Sequence, residues 1–161
     1  MHLKNFKNLR LRDIDGNHIS YKDFLIECRS KINEGYKVYI GSDSQKNGSR
    51  ISFVTCVCLH NRLKGGFAFY GKQKVDKKFF PSLKSRMMGE MFASLNTSYF
   101  IRDELGCDIE IHLDIGSNPI KCRTYKFKKE FMGIVSSQGF SVKVKPQSWA
   151  SSSIADWFTK T

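Results

Sequence analysis

The sequence predicts an α/β fold: a mixed five-stranded sheet, three antiparallel strands followed by parallel additions, flanked by helices. Three observations carry this expectation. Two hairpin signals, Asn47-Gly48 and Lys64-Gly65-Gly66, separate strand-like runs at about 36–44, 50–60 and 66–71. The middle run, Ile51-Ser52-Phe53-Val54-Thr55-Cys56-Val57-Cys58-Leu59, is apolar on both faces, as a central strand covered on both sides must be. Beyond the third run, helical and strand periodicities alternate to the end of the chain, which is the pattern of crossover connections.

Residues 1–20 are basic and carry a turn signal at Asp15-Gly16-Asn17, so they read as an arm or small hairpin. From about Ser20 to Ile32, Phe24, Leu25, Cys28 and Ile32 recur at helical spacing, with Ser20 as N-cap and Gly35 as stop. Residues 1–35 therefore read as an arm and helix packed on a main domain spanning 36–161. A long helix is expected from about Pro81 to Glu104, Pro81 being a residue favoured at helix starts. Leu83, Met87, Met91, Ser94, Leu95 and Ile101 share its broad face, and Gly106 closes it. A strand at about 107–115 and a helix from near Pro119 to Gln138 follow, the latter with the stripe Ile120, Phe127, Phe131, Ile134 and Val135. Phe140 to Lys145 alternates as a strand until Pro146 breaks it, and Ser148 caps a last helix reaching the terminus.

At 161 residues, one domain with one core is expected. Hydrophobic content of 40% and 13 phenylalanines mark a globular chain and exclude intrinsic disorder. Lys and Arg total 27 against 15 acids, for a net charge of +12 and a sequence pI near 9.6. That excess points to an anionic partner, most simply the phosphate backbone of a nucleic acid, with a merely solvated basic surface as the plain alternative. The five cysteines are odd in number and no pair has Cys-x-x-Cys spacing, so they read as reduced thiols acting as small core residues. With no leader-like start and apolar runs too short to span a bilayer, the expectation is a cytoplasmic protein that does not engage membranes.

Four acids break the local pattern. Asp43 ends the strand-like run Tyr36-Lys37-Val38-Tyr39-Ile40-Gly41-Ser42-Asp43, and Asp114 ends Ile109-Glu110-Ile111-His112-Leu113-Asp114. Glu90 lies on the apolar stripe of the long helix, seven residues after Leu83, and Asp156 sits within the last helix. Buried singly, such acids are costly unless paired, and each alone reads as one half of a salt bridge. If the first and fourth strands are neighbours, Asp43 and Asp114 share one sheet edge, Glu90 arrives from the helix before, and Asp156 closes from the C-terminus. Clustered carboxylates need a counter-charge, because each raises the pKa of the others. Two Mg²⁺ or Mn²⁺ ions would supply it, making these four residues the candidate metal ligands and catalytic groups.

Around them lie supporting candidates. His112, on the Asp114 face of its strand, and Ser152 and Ser153, one turn before Asp156, read as residues that orient the carboxylates. Ser44 and Gln45 flank Asp43 and are candidate contacts to a nucleic-acid sugar or backbone. Lys72, Lys74, Lys84 and Arg86 precede and open the Glu90 helix, and Lys121 and Arg123 follow the Asp114 strand, so these bases are expected to rim the site and bind phosphate. Ser117-Asn118 reads as the cap of the helix beginning at Pro119. Phe79, Phe80 and Tyr70 read as core, and Trp149 and Trp157 as packing that clamps Asp156 in place.

The stretches Ile40-Gly41-Ser42-Asp43-Ser44-Gln45, His112-Leu113-Asp114-Ile115-Gly116 and Lys145-Pro146-Gln147-Ser148-Trp149-Ala150-Ser151-Ser152-Ser153-Ile154-Ala155-Asp156 resemble the YkuK-type family of ribonuclease H-like proteins. The similarity runs from about residue 36 to the end. In the wider superfamily, acids occupy the first strand, first long helix, fourth strand and last helix, and Asp43, Glu90, Asp114 and Asp156 fall into those places in order. The resemblance implies a ribonuclease H-like fold and a two-metal nuclease acting on RNA, DNA or an RNA–DNA hybrid. It does not extend to the histidine before the last helix or the basic insertion of ribonuclease HI enzymes, so no preference for hybrids is implied. The alternative is a catalytically silent binding module on the same fold, since one fold serves many functions.

Overall fold

A computed structural model describes residues 2–160 of the chain. A short hairpin comes first, β1 (Leu11–Asp13) and β2 (His18–Ile19). Its turn is held by the Asp13 carboxylate, which accepts from the Asp15 and Asn17 amides. Helix α1 (Tyr21–Asn33) starts where the Ser20 hydroxyl accepts from the Asp23 amide, and it buries Phe24 and Cys28. Three long strands follow: β3 (Lys37–Asn47), β4 (Arg50–Asn61) and β5 (Gly65–Asp76). Gly48 and Gly65 turn this meander at φ 64° and 99°, a region L side chains rarely adopt.

Helix α2 (Leu83–Leu105) opens on a reciprocal capping box between Ser82 and Ser85 and ends at Gly106. Then come β6 (Ile109–His112), α3 (Lys128–Ser137) and β7 (Ser141–Lys143). A π-helical turn, Ala150–Ala155, runs straight into the four-residue α4 (Asp156–Thr159).

The strands form one seven-stranded sheet in the order β2-β1-β5-β4-β3-β6-β7. β3–β6 and β6–β7 are parallel, and the other pairs are antiparallel. One face carries α1, α2 and α3 over a core that includes Phe24, Ile40, Met91, Ile111 and Phe131. The other face is covered by the C-terminal turn, with Ala150, Ala155 and Phe158 packed on Val54, Cys56 and Cys58. β4 is apolar on both sides because it is sandwiched between these two clusters.

Several expectations need correction. The sheet has seven strands, because the N-terminal hairpin docks on the free edge of β5 through Leu11↔Gly71 and Arg12↔Tyr70, besides pairing within itself. The helix foreseen from Pro119 begins only at Lys128; before it, the Asn118 side chain accepts from the Ile120 and Lys121 amides and folds a turn instead. Ile120 accordingly leaves the apolar stripe and is 93% exposed. Pro81 stands before the N-cap Ser82 and not in the first turn. β5 runs five residues further than read, to Asp76, and β6 stops at His112, so Asp114 lies just past its strand.

All five cysteines are free thiols. No helix among the described residues is long and apolar enough to cross a membrane.

Candidate functional site

The carboxylates converge at the end of β3. Asp43 is 6% exposed and faces the C-terminal turn, because period two places it with Tyr39, Gly41 and Gln45. Gly41 lets that turn lie directly on the strand: a Cβ there would stand 2.4 Å from the Ser151 amide nitrogen. From the opposite face, Glu90 is delivered by α2, whose approach depends on its neighbour Gly89. A Cβ on Gly89 would come within 2.7 Å of the Phe80 ring. Ser42 fixes the same helix by a hydrogen bond to Ser94 (2.8 Å) and is itself tied to Thr55 of β4 (2.9 Å). Asp114 follows β6, and its segment is tied to the strand beyond by Leu113 N donating to Lys143 O (2.9 Å) and Lys145 N to Ile115 O (3.0 Å). Asp156 begins α4.

Three of the acids, Glu90, Asp114 and Asp156, have an identifiable partner. Glu90 Oε1 accepts from the Ser44 hydroxyl at 2.5 Å, and Arg86 braces Ser44 through Nη2 to its carbonyl (3.0 Å). Asp114 Oδ1 accepts from the Ser152 hydroxyl (3.1 Å) and pairs with Lys145 Nζ at 2.9 Å. Asp156 Oδ2 pairs with Lys160 Nζ at 2.9 Å. Asp43 lies within electrostatic reach of Asp156.

Burial, then the charges of Glu90, Asp114 and Asp156, push the Asp43 carboxyl up to about 9. Burial lifts Glu90 to about 8 against the pull of its Ser44 hydrogen bond. Both shifts are upward, so the folded state binds these protons more tightly than the unfolded chain. Their stabilising effect is complete below the ordinary carboxylate range and is lost as pH rises toward 8–9. In chelator, thermal melts are therefore expected to show falling stability from pH 5 to pH 9. Adding Mg²⁺ should flatten the high-pH side, and a metal-free melting temperature that rises across this range would contradict the assignment.

The four acids come together around Asp43, and the other three are held by hydrogen bonds or lysine contacts. Among the described residues, no set of three or more histidine, cysteine or acidic side chains stands ready to hold a metal ion. Asp43 lies within electrostatic reach of Glu90, Asp114 and Asp156, a donor set of the chemical kind a hard divalent cation takes, and Lys145 and Lys160 pair with two of these acids. A small cavity of about 10 Å³, bounded in part by Ser42, Glu90, Ser94, His112 and Asp114, lies beneath.

The supporting residues divide. His112 is 1% exposed; its Nε2 faces Glu110 Oε1 (2.8 Å) and its Nδ1 accepts from the Ala150 amide (3.0 Å). Burial holds it below its ordinary pKa, so it is a neutral imidazole tying β6 to the C-terminal turn. Ser152 reaches Asp114, whereas Ser153 is exposed with no hydrogen bond to the cluster among the described residues. Ser44 is buried and committed to Glu90, and Gln45 accepts from Thr159 at 3.1 Å. Trp149 packs against Tyr39 and His112 as expected, but Trp157 is 67% exposed and clamps nothing. Phe79 is exposed and stacks on His2, while Phe80 is buried and Tyr70 stacks on Phe158.

Of the bases, Arg86 touches the site directly. Lys72 lies in the same register row as Asp43 through Val54, two strands or roughly 10 Å away. It donates to the Phe158 carbonyl at 3.2 Å, and Lys74 sits beside it in the row of Gln45 and Ser52. Lys84 and Arg123 line a groove of about 430 Å³ with Lys126, although Lys84 is paired with Glu130 at 3.2 Å. Lys121 is exposed on the turn beside them. Lys145 and Lys160, both in contact with the carboxylates, were not among the sequence candidates. The Lys145 contact arises from the parallel β6–β7 pairing, and the Lys160 contact from i,i+4 spacing at the end of α4.

Comparison with known proteins follows the same lines. The family described as Ribonuclease H-like matches residues 21–160. The protein named "Uncharacterized protein YkuK" from Bacillus subtilis (strain 168) is 30% identical over 141 residues, covering 78% of this chain and 80% of that protein. No solved structure matches the chain.

Proposed function

Since the chain belongs to the ribonuclease H-like family, we propose that it is a divalent-metal-dependent nuclease hydrolysing phosphodiester bonds in RNA, DNA or a hybrid. The observation that carries this reading is the convergence of Asp43, Glu90, Asp114 and Asp156 from β3, α2, the segment after β6 and α4. These four residues would hold Mg²⁺ or Mn²⁺. Two such ions, when bound, ready a water for attack and stabilise the leaving oxygen. The chain supplies the rest. Ser44 and Ser152 orient Glu90 and Asp114, Arg86 keeps Ser44 in place, and His112 anchors the turn that carries Asp156. The basic rim of Lys72, Lys74, Arg86, Lys121 and Arg123 binds the strand by charge.

The pairing of Asp114 and Asp156 with lysines favours a second reading, a binding module whose carboxylates are neutralised from within. Both readings require salt-sensitive binding. Six to ten phosphate contacts predict an affinity loss of about 10³–10⁵-fold between 50 and 200 mM salt. Anisotropy of labelled oligonucleotides in chelator measures this, and Mg²⁺ or Mn²⁺ is then added to the bound samples. Turnover on addition supports the nuclease; binding that persists uncleaved in both metals supports the module. Binding that ignores salt would contradict both.

A further inference from the structure

Lys145 differs from the other bases of the site. Two backbone hydrogen bonds, Leu113 N to Lys143 O (2.9 Å) and Lys145 N to Ile115 O (3.0 Å), pin its main chain alongside Asp114. The position of its Cα is therefore fixed by the sheet, whatever its side chain does. Its ammonium meets Asp114 Oδ1 at 2.9 Å, the same oxygen that accepts from Ser152. Yet the lysine side chain is 46% exposed, against 24% for the aspartate. It can swing into solvent without stranding its own charge, and its departure bares a carboxylate that is more buried than itself. Lys160 is a different case. Its pair with Asp156 is a local i,i+4 contact with the two side chains 59% and 37% exposed, a kind of pair that stabilises little and breaks freely.

We infer that Lys145 is a resident counter-ion of the carboxylate site: it neutralises Asp114 until a divalent cation displaces it, and the freed ammonium then takes a phosphate of the bound strand. This rests on the nuclease reading of the same four carboxylates. A cation that takes Asp114 as a ligand competes with Lys145 for the carboxylate charge, so the lysine weakens metal binding while it keeps the metal-free site from self-repulsion. Once released, it remains tethered beside Asp114, within a lysine's length of the ligands, and acts on phosphate as a mobile point charge. The exchange couples metal entry to strand capture, because an ammonium released from Asp114 has all three of its N–H donors free for phosphate oxygens.

The test uses the full chain and Mn²⁺ alone, with dissociation constants measured calorimetrically for wild type, Lys145→Met, Lys145→Gln and Lys145→Arg. The neutral variants are expected to bind Mn²⁺ roughly tenfold more tightly, and Lys145→Arg to bind as the wild type does. In a separate arm with saturating Mn²⁺, the neutral variants should show a several-fold higher KM for a labelled oligonucleotide. Tighter metal and weaker strand binding are opposite changes that a purely structural role would not produce. Melts at pH 6 establish that each variant is folded, and Lys145→Gln stands in if Lys145→Met is not. Wild-type protein that binds Mn²⁺ while the neutral variants bind it equally or less well overturns the inference and leaves the nuclease reading in place. Wild-type protein that binds no Mn²⁺ overturns both.

Discussion

Asp43→Asn is expected to abolish cleavage while leaving the fold intact and raising the metal-free melting temperature at pH 8. Asp43 is the most central acid of the site, feeling Glu90, Asp114 and Asp156 at once. On the proposed nuclease reading, its removal would cost a charged ligand to the metals, worth several kcal/mol of transition-state stabilisation, or at least about a thousandfold in rate. In the metal-free protein the sign reverses. An asparagine amide is neutral without taking up a proton, so the cost of protonating a buried carboxyl on folding at pH 8 disappears. Single-turnover cleavage and calorimetric melts in chelator measure the two halves. Cleavage within threefold of wild type would place the chemistry elsewhere.

Gly41→Ala carries the largest expected effect on stability. Its backbone is ordinary extended strand, so the demand for glycine is steric and comes from outside the strand. A Cβ would lie 2.4 Å from Ser151 N, 2.6 Å from Ala150 C and 2.8 Å from Ser151 Cα, all main-chain atoms of the π-helical turn. Main chain cannot rotate away as a side chain can, and this turn is also held by the Ala150–His112 hydrogen bond. The turn must lift, at about 2–3 kcal/mol. It carries Ser152 and Asp156 with it, and a displacement near 1 Å costs about a hundredfold in activity. Gly133→Ala, in α3 with nothing within 4 Å of the added carbon, is the matched control and should be neutral or slightly stabilising. Urea melts of the three proteins decide it: a Gly41→Ala protein as stable as wild type would mean the turn does not rest on β3 as described.

These two positions show what was legible in the sequence and what was not. Asp43 and Asp114 could be found because strand periodicity is local, and an acid at the end of an apolar run violates it visibly. Glu90 was legible for the same reason on a helical face. The meander of β3, β4 and β5 followed from Asn47-Gly48 and Lys64-Gly65-Gly66, since turn chemistry is also local. The docking of β1 on β5 was not legible, because edge pairing is decided between segments some sixty residues apart, as Leu11 and Gly71 are. The helix expected at Pro119 failed because the Asn118 side chain competes for the Ile120 and Lys121 amides, a contest that apolar spacing does not register. Trp157, expected to clamp Asp156 from its place on the last helix, projects to solvent instead. Lys145 was invisible as a site residue: its contact with Asp114 exists only because β6 and β7 pair in parallel and set their continuations side by side.

The measurement that bears most directly on the central claim is cleavage of labelled single-stranded RNA, single-stranded DNA, duplex DNA and RNA–DNA hybrid by wild type and Asp43→Asn, in Mg²⁺, in Mn²⁺ and in chelator. The expected result is metal-dependent turnover of at least one substrate by the wild type alone. Wild-type protein that binds the same panel and cleaves none of it in either metal would contradict the nuclease assignment and leave a basic ribonuclease H-like module that binds strands without cutting them.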